Sequence, residues 1–322
     1  MRFLKGITKQ REFVIFIIVV IVFTIMSFAS PVFLSGRNLL ALLLSLSIES
    51  VIAVGMVMLF VSGGFDLSVG SVLGFTGVVV AMLLKAGVPT YLAMLIALLA
   101  GGVVGLWNGF VVAKLKINAF VTTLASLSII RGLTFILTKG RNIAVLPDSF
   151  KAVGQARIGD MVQLPIIYAL IFVIAGDILL RNSRFFRQSY YIGGNEKAAK
   201  LSGINVDKII IINFVITALF AAFAGVVFAS RMGSASAQAG SGLELKVITA
   251  VILGGASLQG GSGSVFGAFL GVFLMALIYN ALTLLGVDIY WQQFVVGIVL
   301  ISAVIIDTLG HSDKFKFRRI RQ

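Results

Sequence analysis

The sequence predicts an all-α integral membrane protein, and three observations carry that expectation. Hydrophobic residues make up 59% of the 322 and charged residues only 12%, whereas soluble domains are about half apolar and about a quarter charged. Apolar runs long enough to cross a bilayer as helices, about 20 residues each, recur along the whole chain. The basic residues fall in short segments between those runs, as membrane orientation requires.

Candidate spans fall at 13–30, 39–61, 69–84, 91–112, 119–137, 164–180, 209–230, 246–257, 264–284 and 292–309. That gives about ten transmembrane helices in one transmembrane domain over 1–322. The first run follows a basic start, MRFLKGITKQRE, but is too long for a signal peptide and lacks a small-residue cleavage site. It reads as a retained span. The run at 246–257 contains Gly254 and Gly255 and reads as a broken or partial crossing.

Charge sets the orientation. With the N-terminus in the cytoplasm and alternating spans, the cytoplasmic segments hold seventeen Lys and Arg residues and the outer segments eight, Lys246 among the eight; Arg131 lies within a span. The bias places both termini in the cytoplasm. The net charge of +14 is spread over these connections rather than gathered on one soluble face, so nucleic-acid binding is not expected. Cysteine is absent and the single histidine, His311, lies near the C-terminus. No thiolate metal site, intramembrane metal site or catalytic dyad is available, and neither a cofactor nor an enzymatic activity is expected.

The apolar pattern is interrupted by SGGFDLSVGS at 62–71. Gly63 and Gly64 suit a helix end, where left-handed backbone is common. Asp66 reads as the N-cap of the next helix, accepting from the amide of Ser68 or Val69. Gly70 follows in the first turn. Non-helical backbone at membrane depth survives only where protein or a water-filled cavity satisfies it, so Asp66 is either a cap or part of a gate. A second stretch is similar: GGFDLSVGSVLGFTG at 63–77 and GGASLQGGSGSVFGAFLG at 254–271 share a glycine pair, a polar turn and Ser-Val-x-Gly leading into a span. Such internal symmetry points to a transport path that would include Gly254, Gly255, Gly260 and Gly261; close helix packing by small residues is the alternative.

Two ionisable residues lie inside spans, where they are expensive unless paired or hydrated. Glu49 falls near the midplane of its helix and Arg131 somewhat nearer the outer face. An ion pair between them is the first expectation and a cavity-facing Glu49 the second. Ser45, one turn before Glu49, extends a polar stripe. Asn108, Asn213, Thr217, Tyr279, Asn280, Trp291, Gln292 and Gln293 are further polar residues in or beside spans, suited either to a sugar or to interhelical hydrogen bonds.

AVGMVMLFVSGGFDLSVGS (53–71), GGNEKAAKLSGINVDK (193–208), AVILGGASLQGGSGSVFGAFLG (250–271) and NALTLLGVDIYWQQFVVGIVLISAVIID (280–307) together resemble the permease subunit of bacterial ABC sugar importers of the ribose and galactose type. The resemblance covers almost the whole chain, in order. It implies an inner-membrane permease that moves a pentose or hexose by alternating access, or a nucleoside or sugar-derived signal in the same family. It also implies a second permease copy or paralogue, a cytoplasmic ATPase and an external sugar-binding protein. The residues agree on one point: no G-x-x-x-x-G-K-[ST] phosphate loop occurs, so ATP must be handled by a partner. A stand-alone secondary transporter is the rival.

The segment 181–208 is the longest cytoplasmic connection and the expected coupling element. After Gly193 and Gly194, Asn195 can cap a short helix, Glu196 suits its first turn, Ala199 lies within it and Gly203 ends it. Under two turns long, that helix needs a partner to hold it; the resemblance makes it the ATPase docking element.

Overall fold

The computed structural model describes residues 2–159 and 162–319, with side chains over 12–159, 162–288 and 290–308. The side chains of Arg2, Lys5, Lys9 and Arg11, His311 and the basic C-terminal residues lie outside the described residues. The chain forms α1 (Arg2–Ala29), α2 (Gly36–Phe60), α3 (Val69–Lys85), α4 (Thr90–Ala113), α5 (Ala119–Thr138) and α6 (Asp148–Gln155). A short hairpin follows, β1 (Arg157–Ile158) and β2 (Val162–Gln163), then α7 (Leu164–Asn182), α8 (Arg184–Gly194) and α9 (Glu196–Leu201). The last four helices are α10 (Val206–Met232), α11 (Leu243–Leu253), α12 (Val265–Leu284) and α13 (Ile289–Arg319). The hairpin departs from the all-α expectation; α6 and α8 are surface helices that the span pattern did not include.

Helix boundaries follow local chemistry. Ser35 accepts from the Asn38 amide at the start of α2, and Asn118 from the Phe120 amide at the start of α5. Pro165 sits in the first turn of α7, where a missing amide hydrogen costs nothing. α10 ends on Gly233 in the left-handed region at φ 63°.

α10 is the spine, packing on α4, α3 and α2. Its approach to α4 depends on Gly101, Gly105 and Gly109, spaced four apart so that they share one face. A Cβ at Gly105 would stand 2.6 Å from the Phe214 carbonyl oxygen and 2.6 Å from the Ala218 Cβ. Small residues at such spacing let helices close up where no hydrophobic effect drives them together. The outward faces stay apolar, with Phe28, Tyr91, Trp107 and Ile136 exposed.

The connections sort into two ends. At one, α6 and the strand pairing of Ile143 with Ala235 cover the end of α10, where Ser230 Oγ donates to the Phe150 carbonyl at 2.5 Å. At the other, Lys114 and Lys116 grip Asp207 at 2.9 and 2.8 Å, and the Gly261 amide donates to the Val61 carbonyl at 3.0 Å. All ten expected spans contain a helix, and eight of these, among the described residues, are long and apolar enough to cross a membrane. α3 has 17 residues. α11 has 11, about 16 Å at 1.5 Å per residue, roughly half the hydrocarbon thickness. The partial crossing expected at 246–257 is therefore a half-helix. The chain reaches it from the Ala235 end through a non-helical run, 233–242.

Gly105→Val should overpack the α4–α10 contact and cost about 1–3 kcal/mol. Gly132→Ala, mid-helix with nothing within 4 Å of a new Cβ, should be neutral or stabilising by up to about 1 kcal/mol. Thermal unfolding of both variants in one detergent checks the contrast.

Candidate functional site: a charged cavity inside the bundle

A cavity of about 570 Å³ lies between α2, the start of α11, α12 and α13. That volume is in the range of small-molecule sites. Its wall carries Ser45 and Glu49 from α2, Lys246 from α11, Tyr279 from α12 and Gln292 and Gln293 from α13. Glu49 is the fourteenth residue of the 25 in α2, about 20 Å from its start, so its placement near mid-helix holds.

The carboxylate's partner differs from the one expected. Glu49 Oε1 accepts from Lys246 Nζ at 2.6 Å and from Ser45 Oγ at 3.1 Å. The side chains of the pair are only 8% and 11% exposed. The Lys246 ammonium also stands 3.9 Å from the centroid of the Tyr279 ring, a cation–π contact. Glu49 therefore does not pair with Arg131. Arg131 Nη1 donates instead to the carbonyls of Ala237 and Ala239, at 2.6 and 2.7 Å. The reason is the non-helical run 233–242, whose carbonyls lack helical partners and lie beside α5. Lys246 is likewise no outer-loop residue; it is carried inward by the same run, and removing it from the outer count widens the charge bias. Glu244, the second residue of α11, is buried beside Arg131. Its Oε1 accepts from the Gly242 amide at 3.2 Å, while Oε2 has no hydrogen-bond partner.

The interrupted stretch forms a second buried polar group. Asp66 and Ser68 are fully buried. Asp66 Oδ1 accepts from the Ser68 amide at 2.7 Å and from Ser68 Oγ at 2.6 Å. Asn108 Nδ2 donates to Ser68 Oγ at 3.0 Å and to Asp66 Oδ2 at 3.4 Å, and Ser126 Oγ donates to Asn108 Oδ1 at 2.5 Å. The amide of Ser68 is accepted as expected, but the N-cap position belongs to Ser68, since α3 begins at Val69. Asp66 thus ties α3 to α4 and α5. It does not line the cavity, and neither does Asn280, whose amide exchanges hydrogen bonds with Asn38 at 2.7 and 3.2 Å. Gly70 borders the cavity region, for a Cβ there would collide with Glu244 Oε2 and the Gly240 carbonyl.

The glycines of the two similar stretches meet at the α9 end. Gly63 closes α2 at φ 84° and Gly255 closes α11 at φ 91°; Gly64 donates back to the Leu59 carbonyl. Gly254 packs backbone to backbone on Gly267. A Cβ at Gly260 would come within 2.9 Å of the Gly63 nitrogen, and one at Gly261 within 3.0 Å of Gly194. Gly193 fits between Val61 and Gly261 with no room for a side chain. The shared Ser-Val-x-Gly is less regular. Ser264 caps α12, accepting from Gly267 at 2.9 Å, whereas Ser71 lies inside α3 and donates to the Leu127 carbonyl. Tyr190, buried on α8, donates to the Gly263 carbonyl at 2.6 Å. Its burial pushes the phenol's pKa up, so it stays a donor.

α9 forms as the local chemistry predicts. Asn195 Oδ1 accepts from the Ala198 amide at 2.9 Å, Glu196 opens the first turn, and Gly203 follows the end at φ 80°. Ala199 is buried against Ile192, Val206 and Ile209, while Leu201 is 90% exposed.

A membrane-spanning bundle with broken helices around a polar cavity defines a membrane transport protein. The chain belongs to the family described as the branched-chain amino acid transport system / permease component, whose model matches residues 38–304. It is 37% identical to the ribose import permease protein RbsC of Haemophilus influenzae, over 94% of each chain. It is 37% identical to the L-arabinose transport system permease protein AraH of Escherichia coli, over 88% of this chain and 86% of that one. The autoinducer 2 import system permease protein LsrC of Photorhabdus luminescens is 37% identical, over 94% and 92%. No solved structure matches the chain.

Removing one member of the buried pair, by Glu49→Gln or Lys246→Met, should cost about 3–5 kcal/mol, and removing both should cost less than the sum. Glu49→Gln combined with Arg131→Gln should be additive. Thermal stability of the three single variants, Arg131→Gln included, and the two double variants in one detergent separates the two pairings.

Proposed function

We propose that this chain is the membrane-spanning subunit of an ATP-driven importer of a monosaccharide, a pentose or hexose, in the bacterial inner membrane. The observation that carries this reading is the cavity: a bundle of the permease family holds a partly open space whose wall offers a carboxylate, an ammonium, a phenol and amides. Neutral sugars need such donors and acceptors. Relatives bearing ribose and arabinose names support the substrate class. The autoinducer 2 name of another relative favours a second substrate, a sugar-derived signal.

In this reading the α8–α9 end is cytoplasmic, both termini lie inside and the chain crosses ten times in one transmembrane domain over 1–322. The excess of basic residues at that end supports the orientation. The absent phosphate loop assigns ATP to a partner, and the importer is completed by a second permease copy or paralogue and an external sugar-binding protein. The ATPase docks on α9, whose exposed Leu201 beside buried Ala199 presents an apolar handle. Its movement passes to the membrane through the junction of Gly193 with Val61, Gly260 and Gly261. Both broken elements share that junction, so they shift together and the cavity alternates between the two sides. Glu49 is neutralised by Lys246, so a secondary transporter would have to couple to another buried carboxylate, Asp66 or Glu244.

Proteoliposomes holding this chain with the ATPase and binding protein encoded by neighbouring reading frames should take up labelled D-ribose or L-arabinose only with ATP. Uptake by the lone chain would replace this reading with the secondary transporter.

Two substitutions separate docking from transmission. Ala199→Pro breaks α9 and should abolish co-elution with the ATPase while the permease stays monodisperse. Gly193→Val leaves α9 intact and should keep co-elution yet reduce transport at least tenfold. Normal transport by both would move the docking site to the loops at 112–118 or 257–263.

A further inference from the structure

The Glu49–Lys246 pair is costly for what it does structurally. Desolvating two charges takes back much or all of their attraction, and an apolar pair of similar volume is often as stable or more so. A buried pair facing a cavity therefore calls for another use. Its geometry leaves valences open toward that space. Both donors to Glu49 converge on Oε1, and no hydrogen bond reaches Oε2; Oε2 is also not among the buried atoms that lack a partner, so it is open to the cavity. The Lys246 ammonium has three N–H donors. One goes to Glu49 and one side of the group faces the Tyr279 ring, leaving donor capacity. The Gln292 amide is engaged with Thr283 Oγ1 at 3.2 Å, whereas the Gln293 amide and the Tyr279 hydroxyl, both at the wall, make no hydrogen bond.

We infer that Glu49 Oε2 and Lys246 Nζ form a binding subsite for adjacent hydroxyls of a neutral polyol, and so determine what the cavity accepts. The subsite deepens the importer reading above and rests on it. One ligand hydroxyl donates to Oε2 and its neighbour accepts from Nζ. A hydroxyl can do either, which suits a wall where an open acceptor stands beside an open donor. A fully ionised phosphate group brings no donor for Oε2 and places like charge near it, so a sugar phosphate binds more weakly than the free sugar even though its remaining hydroxyls can donate. An apolar ligand leaves both charges unsatisfied. The Ser45 hydroxyl holds Glu49 from behind, and the Tyr279 ring holds the ammonium, so the two groups are positioned before a ligand arrives. Arg231 also lines the cavity, which makes an anion the decisive control.

The test uses the full chain in lipid nanodiscs, without partners, and saturation-transfer difference NMR with millimolar D-ribose or L-arabinose. The parent should give a saturable signal for at least one sugar, and D-ribose 5-phosphate should compete at least tenfold more weakly. The double variant Glu49→Leu with Lys246→Met keeps volume without charge; it should remain monodisperse and lose at least tenfold in affinity. The reversed pair, Glu49→Lys with Lys246→Glu, retains a donor and an acceptor and should recover part of the binding. If the double variant binds D-ribose like the parent, the pair is only structural and the inference is overturned. Tighter binding of the phosphate ester would overturn it as well. Uptake of these sugars by the reconstituted importer, with no signal from the parent chain, would sink the subsite and leave the importer standing. Absence of uptake together with absence of binding would remove both.

Discussion

Backbone inside a membrane has to find hydrogen-bond partners within the protein, and the run 233–242 is where this constraint shapes everything else. The run leaves the end of α10 and turns back along α3 without helical bonding. Arg131 supplies the missing donors, its Nη1 meeting the carbonyls of Ala237 and Ala239. Gly70 and Gly74 supply the space: a Cβ at Gly74 would stand 2.6 Å from the Ala239 carbonyl oxygen. With the run held, α11 begins within the bundle rather than at its edge. Only there can Lys246 reach Glu49. The ion pair, the cavity wall and the half-helix are thus consequences of one solved backbone problem.

The parts of this arrangement that were legible in the sequence are those decided locally. Span positions follow from apolar length, and the cap by Asn195 and the stop at Gly203 from residues within one turn. Glu49 was placed at mid-depth because its distance from the start of an apolar run is simple counting. The pairing was not legible. Which face of a helix a charge occupies depends on neighbours far along the chain, and Glu49 and Lys246 are 197 residues apart. Lys246 was also hidden by the topology count, which treats a basic residue between apolar runs as solvated. One signal was available: the run around 246–257 is too short to cross, so charges at its head, Glu244 and Lys246, fall within the protein. Glu244 and Arg231 drew no notice for the same reason.

Glycine serves two ends in this fold. Along α4 it removes volume so that α10 can close on it, a static role. At the junction of Gly63, Gly193, Gly260 and Gly261 it brings three connecting segments together through main chain alone. Contacts made by backbone cannot be adjusted by a side chain changing rotamer, so displacement of one segment is passed to the others. The polar group of Asp66, Ser68, Asn108 and Ser126 fixes the start of α3 to α4 and α5 beside that junction, which gives the moving parts a rigid reference.

The half-helix α11 runs from this junction to the cavity, with Gly255 at one tip and Lys246 near the other. A helix of 11 residues is stiff over its length, so a push along its axis at the Gly255 tip arrives at Lys246 almost undiminished. The contact there is 2.6 Å, and hydrogen bonding is lost beyond about 3.5 Å. Thermodynamic reciprocity then applies. Where the two tips are coupled, whatever occupies the space beside Glu49 biases the glycine junction by the same free energy with which that junction biases occupancy. A short rod with a charge at its head is in this sense a two-way gauge, reporting cargo inward as readily as it transmits force outward.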